Sequence, residues 1–289
     1  MKTAKMAIDP IYLRSSSLRR GLVRKLLNSF GLGYSRASNR EDILSCFRQF
    51  WPVMLSEPLT RLGADADGGY VVPELRRPYD AIFSPGVADN ASFEEEYLLR
   101  YKDCRAFLLD GSIRENPMRN SRLSPRVEFE ASFLGSRKAQ GFVTLEAWVN
   151  SKYRGNNALL QVDIEGHEYE VFLSARDSIL EKFSTIIIEL HGLNMLGTRE
   201  GCTLVSALAN RLSSVFVIAH IHVNNYAKPI NLNNLKIPTV LEVTWVRRDL
   251  VSINPNETVT SLPNRLDRPN DVSKPSYKLH DGFERGVLW

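Results

Sequence analysis

Short apolar runs rich in β-branched residues alternate with amphipathic stretches from residue 61 to residue 250. Such runs are typical of buried strands, and apolar residues at helical spacing are typical of helices. The pattern predicts seven strands, at Ala81–Phe83, Ala106–Leu109, Val127–Glu130, Ala158–Val162, Thr185–Ile188, Val215–Ala219 and Val240–Arg247. Between them it predicts helices at Phe93–Tyr101, Leu145–Tyr153, Tyr169–Leu180 and Cys202–Leu212. We therefore expect an α/β fold with a doubly wound, mostly parallel sheet and helices on both faces.

The carboxyl-terminal part of the chain has a different pattern. The last apolar run, Val240–Val246, alternates with the polar residues Glu242 and Thr244. A strand with one solvated face shows this alternation, so we expect an edge strand that runs antiparallel to its neighbour. Residues 251–289 contain four prolines and no regular period, which predicts an extended tail across the domain surface.

Residues 1–60 form an N-terminal extension with two predicted helices. In Ser17–Phe30 apolar residues recur at helical spacing between four basic residues, and a second helical pattern spans Glu41–Leu55. The basic amphipathic helix at 17–30 either packs its apolar stripe on the main domain or attaches to an anionic membrane surface, and both interpretations stay open. The chain thus divides into the extension 1–60, a main domain at 61–250 and the tail 251–289. Both terminal parts are available for a homodimer contact.

Charge and cysteine content narrow the function classes. Residues 1–40 carry nine lysine and arginine residues and one aspartate, so the rest of the chain has a net charge of −4. A mildly acidic main body does not favour a nucleic-acid partner. The three cysteines form no C-x-x-C pair, which favours a reducing compartment. The sequence shows no secretory signal and no run long enough to span a membrane, so we expect a cytoplasmic location, with membrane association if residues 17–30 bind lipid.

In an open α/β sheet, ligands bind beyond the carboxyl ends of the strands. After the first predicted strand, the turn Ser84–Asn90 contains Gly86, which lets a ligand approach the backbone, and Asp89 and Asn90, which can cap the next helix. After the second strand comes Asp110, 24 residues beyond Gly86, close to the offset at which an acid binds ribose hydroxyls. Alternatively, Asp110 simply makes a turn with Gly111. Neither a Gly-rich dinucleotide loop nor a Walker A loop is found.

Pairs of ionisable residues follow three later strands. The pairs are Asp163 with Glu165, Glu189 with His191, and His220 with His222. Because these strand ends meet at one edge of the sheet, we expect the pairs to face one crevice. A histidine beside a carboxylate suits a general base for a hydroxyl, and Asp163, Glu189, His191 and His222 together also suit a divalent metal. The chain has no H-E-x-x-H or G-x-S-x-G motif, so a zinc hydrolase or a serine hydrolase is not supported.

Three stretches of the sequence carry a family resemblance. They are Arg61-Leu62-Gly63 with Asp67–Val72, Ser84–Asn90 with Ser92-Phe93-Glu94, and Leu160–Glu168, which contains D-I-E-G-x-E and is the most specific of the three. Over roughly residues 61–250 the chain resembles the FkbM-type S-adenosylmethionine-dependent methyltransferases. The resemblance implies a Rossmann-like class I methyltransferase fold of seven strands, S-adenosylmethionine as methyl donor, and O-methylation of a sugar, a glycan intermediate or another small acceptor.

The resemblance also implies roles for particular residues. On matching positions, the turn at Gly86 lies along the cofactor, Asp110 holds its ribose hydroxyls, and Asp163 with Glu165 borders the methyl-transfer site. The cofactor-binding set is then Gly86, Asp89, Asn90, Asp110, Asp163 and Glu165.

Methyl transfer needs a base for the acceptor hydroxyl. We expect it to be His191 or His222, oriented by Glu189 or Asp163. In a variant of this mechanism, Mg²⁺ held by Asp163 and Glu189 activates the hydroxyl.

Two competing interpretations use the same sheet. A short-chain dehydrogenase or nucleotide-sugar epimerase needs a Tyr-x-x-x-Lys pair, but Tyr97 is followed at that spacing by Tyr101, and Tyr101 by Arg105. A binding module without catalysis would keep the fold and lose the cofactor, which the unusual first turn with Pro85 and Ala88 would allow. The retained acids and histidines at the strand ends argue against it, because buried ionisable groups without partners are costly.

Overall fold

The computed structural model describes residues 35–259 and 262–279. Its α-helices are α1 Arg40–Arg48, α2 Ser92–Arg100, α3 Leu145–Lys152, α4 Glu168–Ser174, α5 Asp177–Leu180 and α6 Arg199–Ser213. Its strands are β1 Val53–Leu55, β2 Leu59–Gly63, β3 Gly69–Pro73, β4 Ala81–Pro85, β5 Arg105–Leu109, β6 Val127–Glu130, β7 Phe133–Gly135, β8 Phe142–Thr144, β9 Ala158–Val162, β10 Phe183–Leu190, β11 Phe216–Val223, β12 Ile230–Leu232, β13 Leu235–Ile237, β14 Leu241–Arg247 and β15 Ile253–Thr258. The predicted helix at 17–30 lies outside the described residues, and each helix within them is too short to span a lipid bilayer.

Seven strands form the central sheet, in the order β11-β14-β10-β9-β4-β5-β6. The strands from β10 to β6 pair in parallel, and β14 runs antiparallel to both β10 and β11. These are the seven strands that the apolar runs predict, with ends that differ by a few residues. The predicted doubly wound, mostly parallel α/β sheet is therefore confirmed.

Helices cover both faces of this sheet. On one face, α1 and α3 to α6 bury an apolar core that includes Ile43, Trp148, Phe172, Leu180 and Leu208. On the other face, α2 and the hairpin of β2 and β3 bury a second core that includes Leu62, Tyr70, Phe93 and Leu98. Because both faces are covered, the carboxyl edge of the parallel strands is the place where a ligand can reach the sheet.

The prediction of an edge strand at the end of the main domain is half wrong. Strand β14 is antiparallel as predicted, but it lies inside the sheet between β10 and β11. Its alternating polar residues are buried and find partners within the protein. Thr244 Oγ1 donates to the carbonyl oxygen of Val71 at 2.8 Å, and Glu242 Oε1 accepts from Asn270 Nδ2 at 2.6 Å. In the sequence, a strand face of buried polar residues with partners shows the same polar–apolar alternation as a strand face in contact with solvent.

Two predicted helices and the tail also differ from expectation. The helix predicted at 41–55 ends at Arg48, ahead of Pro52, whose ring and missing N–H disfavour a longer helix. Strand β1 follows and pairs antiparallel with β15, so the tail begins with regular structure. The helix predicted at 169–180 is interrupted at Ala175 and Arg176, both extended, and forms α4 and α5. The division of the chain at residues 60 and 250 stays a prediction.

Candidate active site

A cavity of about 620 Å³ opens at the carboxyl ends of β4, β5 and β9. Its size falls in the range of small-molecule sites. The cavity is lined by the first-strand turn, the end of β5, the segment after β6 and the loop after β9. The lining residues include Gly86, Ala88, Asp110, Ser132, Phe133, Leu134, Phe142, Asp163 and Glu165. Four residues of the predicted cofactor-binding set, Gly86, Asp110, Asp163 and Glu165, therefore face one cavity.

The first-strand turn is shaped by close packing of two loops. Gly86 has φ +83°, and a Cβ there would overlap the carbonyl oxygen of Asp163. The glycine is thus required by the loop after β9 rather than by the approach of a ligand. The N-cap residue of the next helix is Ala91, and among the described residues Asp89 makes no capping hydrogen bond. Asn90 Oδ1 accepts from the N–H of Ser92, the first residue of that helix, at 3.2 Å, so the expected contact with the helix start is present for Asn90. Asn90 also donates from Nδ2 to the carbonyl oxygen of Asp67 at 3.0 Å.

Asp110 is buried at the end of β5, and its carboxylate organises two backbone segments. Oδ2 accepts from the N–H of Ala88 at 2.8 Å, and Oδ1 accepts from the N–H and the hydroxyl of Ser112 at 2.7 and 2.6 Å. The turn that the alternative interpretation expects at Asp110 and Gly111 is present. A carboxylate accepts about four hydrogen bonds, so about one acceptor position is left, and Asp110 is among the residues that line the cavity. Its ribose role stays a prediction.

His191 lies at the centre of a cluster of carboxylates at the carboxyl ends of β9 and β10. Its Nε2 is 3.8 Å from Asp163 Oδ1, 3.7 Å from Glu189 Oε1 and 4.0 Å from Glu165 Oε2. Two of the three predicted pairs therefore meet. The loop after β9 brings Glu165 there in a way that strand alternation does not explain, because β9 ends at Val162 and Glu165 has φ +55°.

The hydrogen bonds of His191 define which ring nitrogen carries the proton. Nδ1 lies 3.1 Å from Glu168 Oε1 and 2.9 Å from the carbonyl oxygen of Glu189. A carbonyl oxygen only accepts, as does an ionised carboxylate, so we assign the proton to Nδ1. When the ring is neutral, the lone pair of Nε2 faces Asp163, Glu189 and Glu165. This is the arrangement that a general base or a metal ligand requires.

Burial and mutual repulsion shift the pKa values in this cluster. Burial raises the pKa of Asp163 to about 7, against the opposing effect of His191. Burial, followed by the charge of Asp163, raises the pKa of Glu189 well above its ordinary value. Burial disfavours protonation of His191, but the hydrogen bond and charge of Glu168, together with the charges of Asp163 and Glu165, outweigh it, so the pKa of His191 is raised. Asp163 therefore exchanges its proton near neutral pH, as acid–base chemistry there requires.

The same three residues fit a divalent cation. Asp163, Glu189 and His191 each offer one ligand atom, and the three atoms lie within 4.8 Å of one another. Asp163 Oδ1 and Glu189 Oε2 are buried and find no hydrogen-bond donor among the described residues. Asn224 Nδ2 donates to the other Glu189 oxygen at 2.8 Å, as an outer partner of a metal ligand does. Carboxylate and imidazole donors suit divalent first-row metals, and carboxylate alone suits Mg²⁺.

The third predicted pair, His220 and His222, belongs to a different cluster. Asp267 Oδ1 lies 2.9 Å from His220 Nε2 and 3.4 Å from His222 Nδ1. His222 Nε2 is 3.1 Å from Asn270 Oδ1, which makes Asn270 the acceptor. The expectation of one crevice for all three pairs is therefore wrong for this pair, because a segment of the tail covers both histidines.

Several residues of the site were missed by the sequence analysis. The sequence suggests no role for Glu168 beyond its place in the resemblance stretch, and it predicts that Glu242 lies on a solvated strand face. Asp267 and Asn270 lie in the tail, where the sequence shows four prolines and no regular period. The D-I-E-G-x-E stretch contains Glu168 and is the one sequence signal that could have identified it. No local signal marks the two tail residues, since their partners lie more than 25 residues away.

Comparisons with known proteins find a family whose sequence model matches the chain. The sequence model of the methyltransferase FkbM domain matches residues 56–205, a little over half of the chain. No curated protein sequence matches.

Similarity to solved structures is distant. The fibrillarin/Nop5p complex is 12% identical with a TM-score of 0.36, over 59% of this chain and 74% of that one. The precorrin-6y C5,15-methyltransferase of Geobacter metallireducens GS-15 is 15% identical with a TM-score of 0.35, over 60% and 84%. An O-methyltransferase from neocarzinostatin biosynthesis, solved with S-adenosyl-L-homocysteine, is 11% identical with a TM-score of 0.31, over 58% and 50%.

Proposed function

Since the chain belongs to the FkbM methyltransferase family, we propose that it methylates a hydroxyl group of a sugar or glycan intermediate. The protein is an S-adenosylmethionine-dependent methyltransferase with a Rossmann-like sheet of seven strands. The observation that carries the proposal of an oxygen acceptor is the position of Asp163. Its side chain lines the 620 Å³ cavity and also lies 3.8 Å from His191 Nε2. Asp163 thus joins the proposed donor cavity to the proposed base.

Bound S-adenosylmethionine supplies a methyl group on a positively charged sulfur, which an acceptor oxygen displaces in line. In the proposed mode, Asp110 directs its remaining acceptor position at the ribose hydroxyls, and the turn from Gly86 to Asn90 lies along the donor. Asp163 and Glu165 border the methyl-transfer end of the cavity. Their negative charges favour the positively charged sulfonium over its neutral product.

The base takes the hydroxyl proton as the new oxygen–carbon bond forms and the sulfur–carbon bond breaks. We favour His191 over His222 for this role. The Nε2 lone pair of His191 faces the residues that line the cavity, whereas both ring nitrogens of His222 face tail residues. In this mechanism Asp163 and Glu189, which face Nε2, stabilise the protonated form of the ring by their negative charge.

A metal-assisted variant uses the same side chains. Asp163 and Glu189 would hold Mg²⁺, with His191 as a further ligand for a softer divalent ion. A bound cation would lower the pKa of a coordinated hydroxyl. The buried carboxylate oxygens that lack donors among the described residues support this variant.

The acceptor proposal draws on the chemistry of the site edge. A hydroxyl needs a base as it attacks, and the cluster offers His191, beside Asp163 whose pKa is raised by burial to about 7. Exposed carboxylates at Asp67 and Glu165 can accept hydrogen bonds from further hydroxyls of a polyhydroxylated substrate.

We also propose that residues 17–30 bring the enzyme to an anionic membrane surface. Removal of residues 1–34 should then abolish association with anionic liposomes and leave donor binding unchanged.

Calorimetric titration with S-adenosylmethionine and S-adenosylhomocysteine, each with and without Mg²⁺, tests the proposal. We expect micromolar binding of both, and tighter binding with Mg²⁺ if the metal-assisted variant holds. Transfer of a labelled methyl group to a panel of sugars and lipid-linked glycans then tests the acceptor class. Absence of donor binding under every condition would favour the binding module without catalysis. Donor binding with methylation of amines alone would contradict the oxygen acceptor.

A further inference from the structure

Glu168, the first residue of α4, has a side chain that is completely buried. A buried carboxylate is costly unless hydrogen bonds replace its water. Its Oε1 accepts from the N–H of Ile164 at 3.3 Å and from the N–H of Gly166 at 3.1 Å, and lies 3.1 Å from His191 Nδ1. A single oxygen atom therefore connects the histidine to the loop after β9, which lines the cavity.

The ordinary explanation for an acid at this position is the charge of the helix start. Glu170 lies in the same first turn and shows what that explanation predicts. Its Oε1 is 3.0 Å from His167 Nδ1, but the two side chains are 48% and 53% exposed. An exposed pair of this kind contributes little, whereas a buried, charge-assisted hydrogen bond is strong. Glu168 differs from Glu170 in burial and in the number of groups that it joins.

We propose that Glu168 is a positioning residue, which holds the Nδ1–H tautomer of His191 so that the Nε2 lone pair faces Asp163 and Glu189. Its hydrogen bonds to the N–H groups of Ile164 and Gly166 also fix the position of the cavity loop relative to that ring. This inference rests on the proposed function, in which His191 Nε2 accepts the hydroxyl proton. The alternative is that the carbonyl oxygen of Glu189, 2.9 Å from Nδ1, fixes the tautomer alone.

Nitrogen-15 spectra of the histidine rings test the inference without any turnover. The protein is labelled at histidine, and long-range proton–nitrogen correlations are recorded at alkaline pH, where the rings are neutral; His191→Ala assigns the signals. We expect His191 as the Nδ1–H tautomer in the wild type. Glu168→Ala should shift its ring nitrogens toward the averaged values of a free imidazole. Glu170→Gln, the matched control in the same helical turn, should leave them unchanged.

A conservative variant keeps the test valid if Glu168→Ala does not fold. Glu168 Oε2 is buried with no donor among the residues described, so Glu168→Gln removes no hydrogen bond at that atom. Its amide oxygen still accepts at the position of Oε1. We expect Glu168→Gln to keep the wild-type tautomer. Loss of the tautomer in folded Glu168→Gln, or its retention in folded Glu168→Ala, would overturn the inference.

Kinetics separate positioning from a general structural role. We expect Glu168→Ala to lower kcat about 100-fold and to raise the donor KM by a smaller factor, because Glu168 also holds the loop that lines the donor cavity. In the His191→Ala background, Glu168→Ala should lower kcat no further, because both changes disable one unit. Full additivity would contradict the inference. If the protein does not bind S-adenosylmethionine, the proposed function fails, and the ring-nitrogen spectra still decide the role of Glu168.

Discussion

Glu189 and Glu242 lie directly opposite each other in the antiparallel pairing of β10 and β14, and both side chains are buried. Like charges at directly opposite positions destabilise a sheet. His222 lies opposite Glu242 in the next pairing, so a row of ionisable side chains crosses three strands. Burial raises the pKa of both carboxyls. The folded state therefore binds these protons more tightly than the unfolded state does, which makes stability depend on pH.

Glu242→Gln tests this dependence, since the amide oxygen can still accept from Asn270. A carboxyl whose pKa is raised by folding contributes stability that is fully present below its ordinary pKa of 4.5 and is lost as pH rises through the folded pKa. Glutamine stays neutral at every pH, so the variant does not lose this stability as the pH rises. We expect its melting temperature to exceed that of the wild type by a few degrees at about pH 8 and to match it at about pH 4. The exposed Glu74→Gln is the control, and an equal difference at both pH values would contradict the expectation.

The proposed base is tested by His191→Ala. Loss of a general base lowers kcat by roughly 100- to 10,000-fold, and donor affinity should change little because His191 does not line the donor cavity. Asp163→Asn should also lower kcat. His222→Ala should instead lower the melting temperature, because it removes the partner of Asn270. Rates from labelled methyl transfer and donor affinities from calorimetry give the comparison. Full activity of His191→Ala would refute its assignment.

The two possible roles of Asp110 are separated by a cofactor analogue. If Asp110 holds the ribose hydroxyls, Asp110→Ala should weaken S-adenosylhomocysteine binding about tenfold or more, and should barely affect a 2′,3′-dideoxy analogue. If Asp110 only shapes the turn, both ligands should lose affinity equally. Ser112→Ala is the control, because it removes one hydrogen bond to Oδ1 and keeps the carboxylate.

Strand patterns predicted the fold well because each sheet strand buries its own residues, and that burial is a local property of the sequence. Glu189 and His191 were found for the same reason, since they lie at the carboxyl end of β10. Glu242 was misjudged because its partner Asn270 lies 28 residues further along the chain. Glu168 was overlooked because an exposed and a buried acid look alike at a helix start. Residues whose role depends on a distant partner need the structure.

Gly86 and Gly141 form a matched pair for the packing of the first-strand turn. Both have positive φ, so alanine is strained by about 1–2 kcal/mol at either position. Around Gly141 no described atom lies within 4 Å of an added Cβ, whereas at Gly86 the Cβ meets the Asp163 carbonyl. We expect Gly141→Ala to cost only the strain. Gly86→Ala should cost several kcal/mol more and displace the loop that carries Asp163. Equal unfolding free energies of the two variants would refute the packing argument.

Asn270 provides the test of whether the tail segment 262–279 is part of the site. Its Nδ2 donates to Glu242 Oε1 at 2.6 Å and to Asp67 Oδ1 at 3.3 Å, and its Oδ1 faces His222. Removal of the Asn270 side chain leaves buried polar groups of its partners unpaired, so Asn270→Ala should destabilise the protein by about 1–3 kcal/mol.

The loss of stability in Asn270→Ala should be accompanied by faster amide hydrogen exchange in residues 262–279 and at the ends of β11 and β14, because Asn270 joins these elements. Arg265→Ala, at an exposed position of the same segment, is the control and should change neither quantity. If the segment merely crossed the surface, the two variants would behave alike. If Asn270→Ala lowers stability and speeds hydrogen exchange while Arg265→Ala does neither, the tail segment is an integral part of the structure around Glu242 and His222.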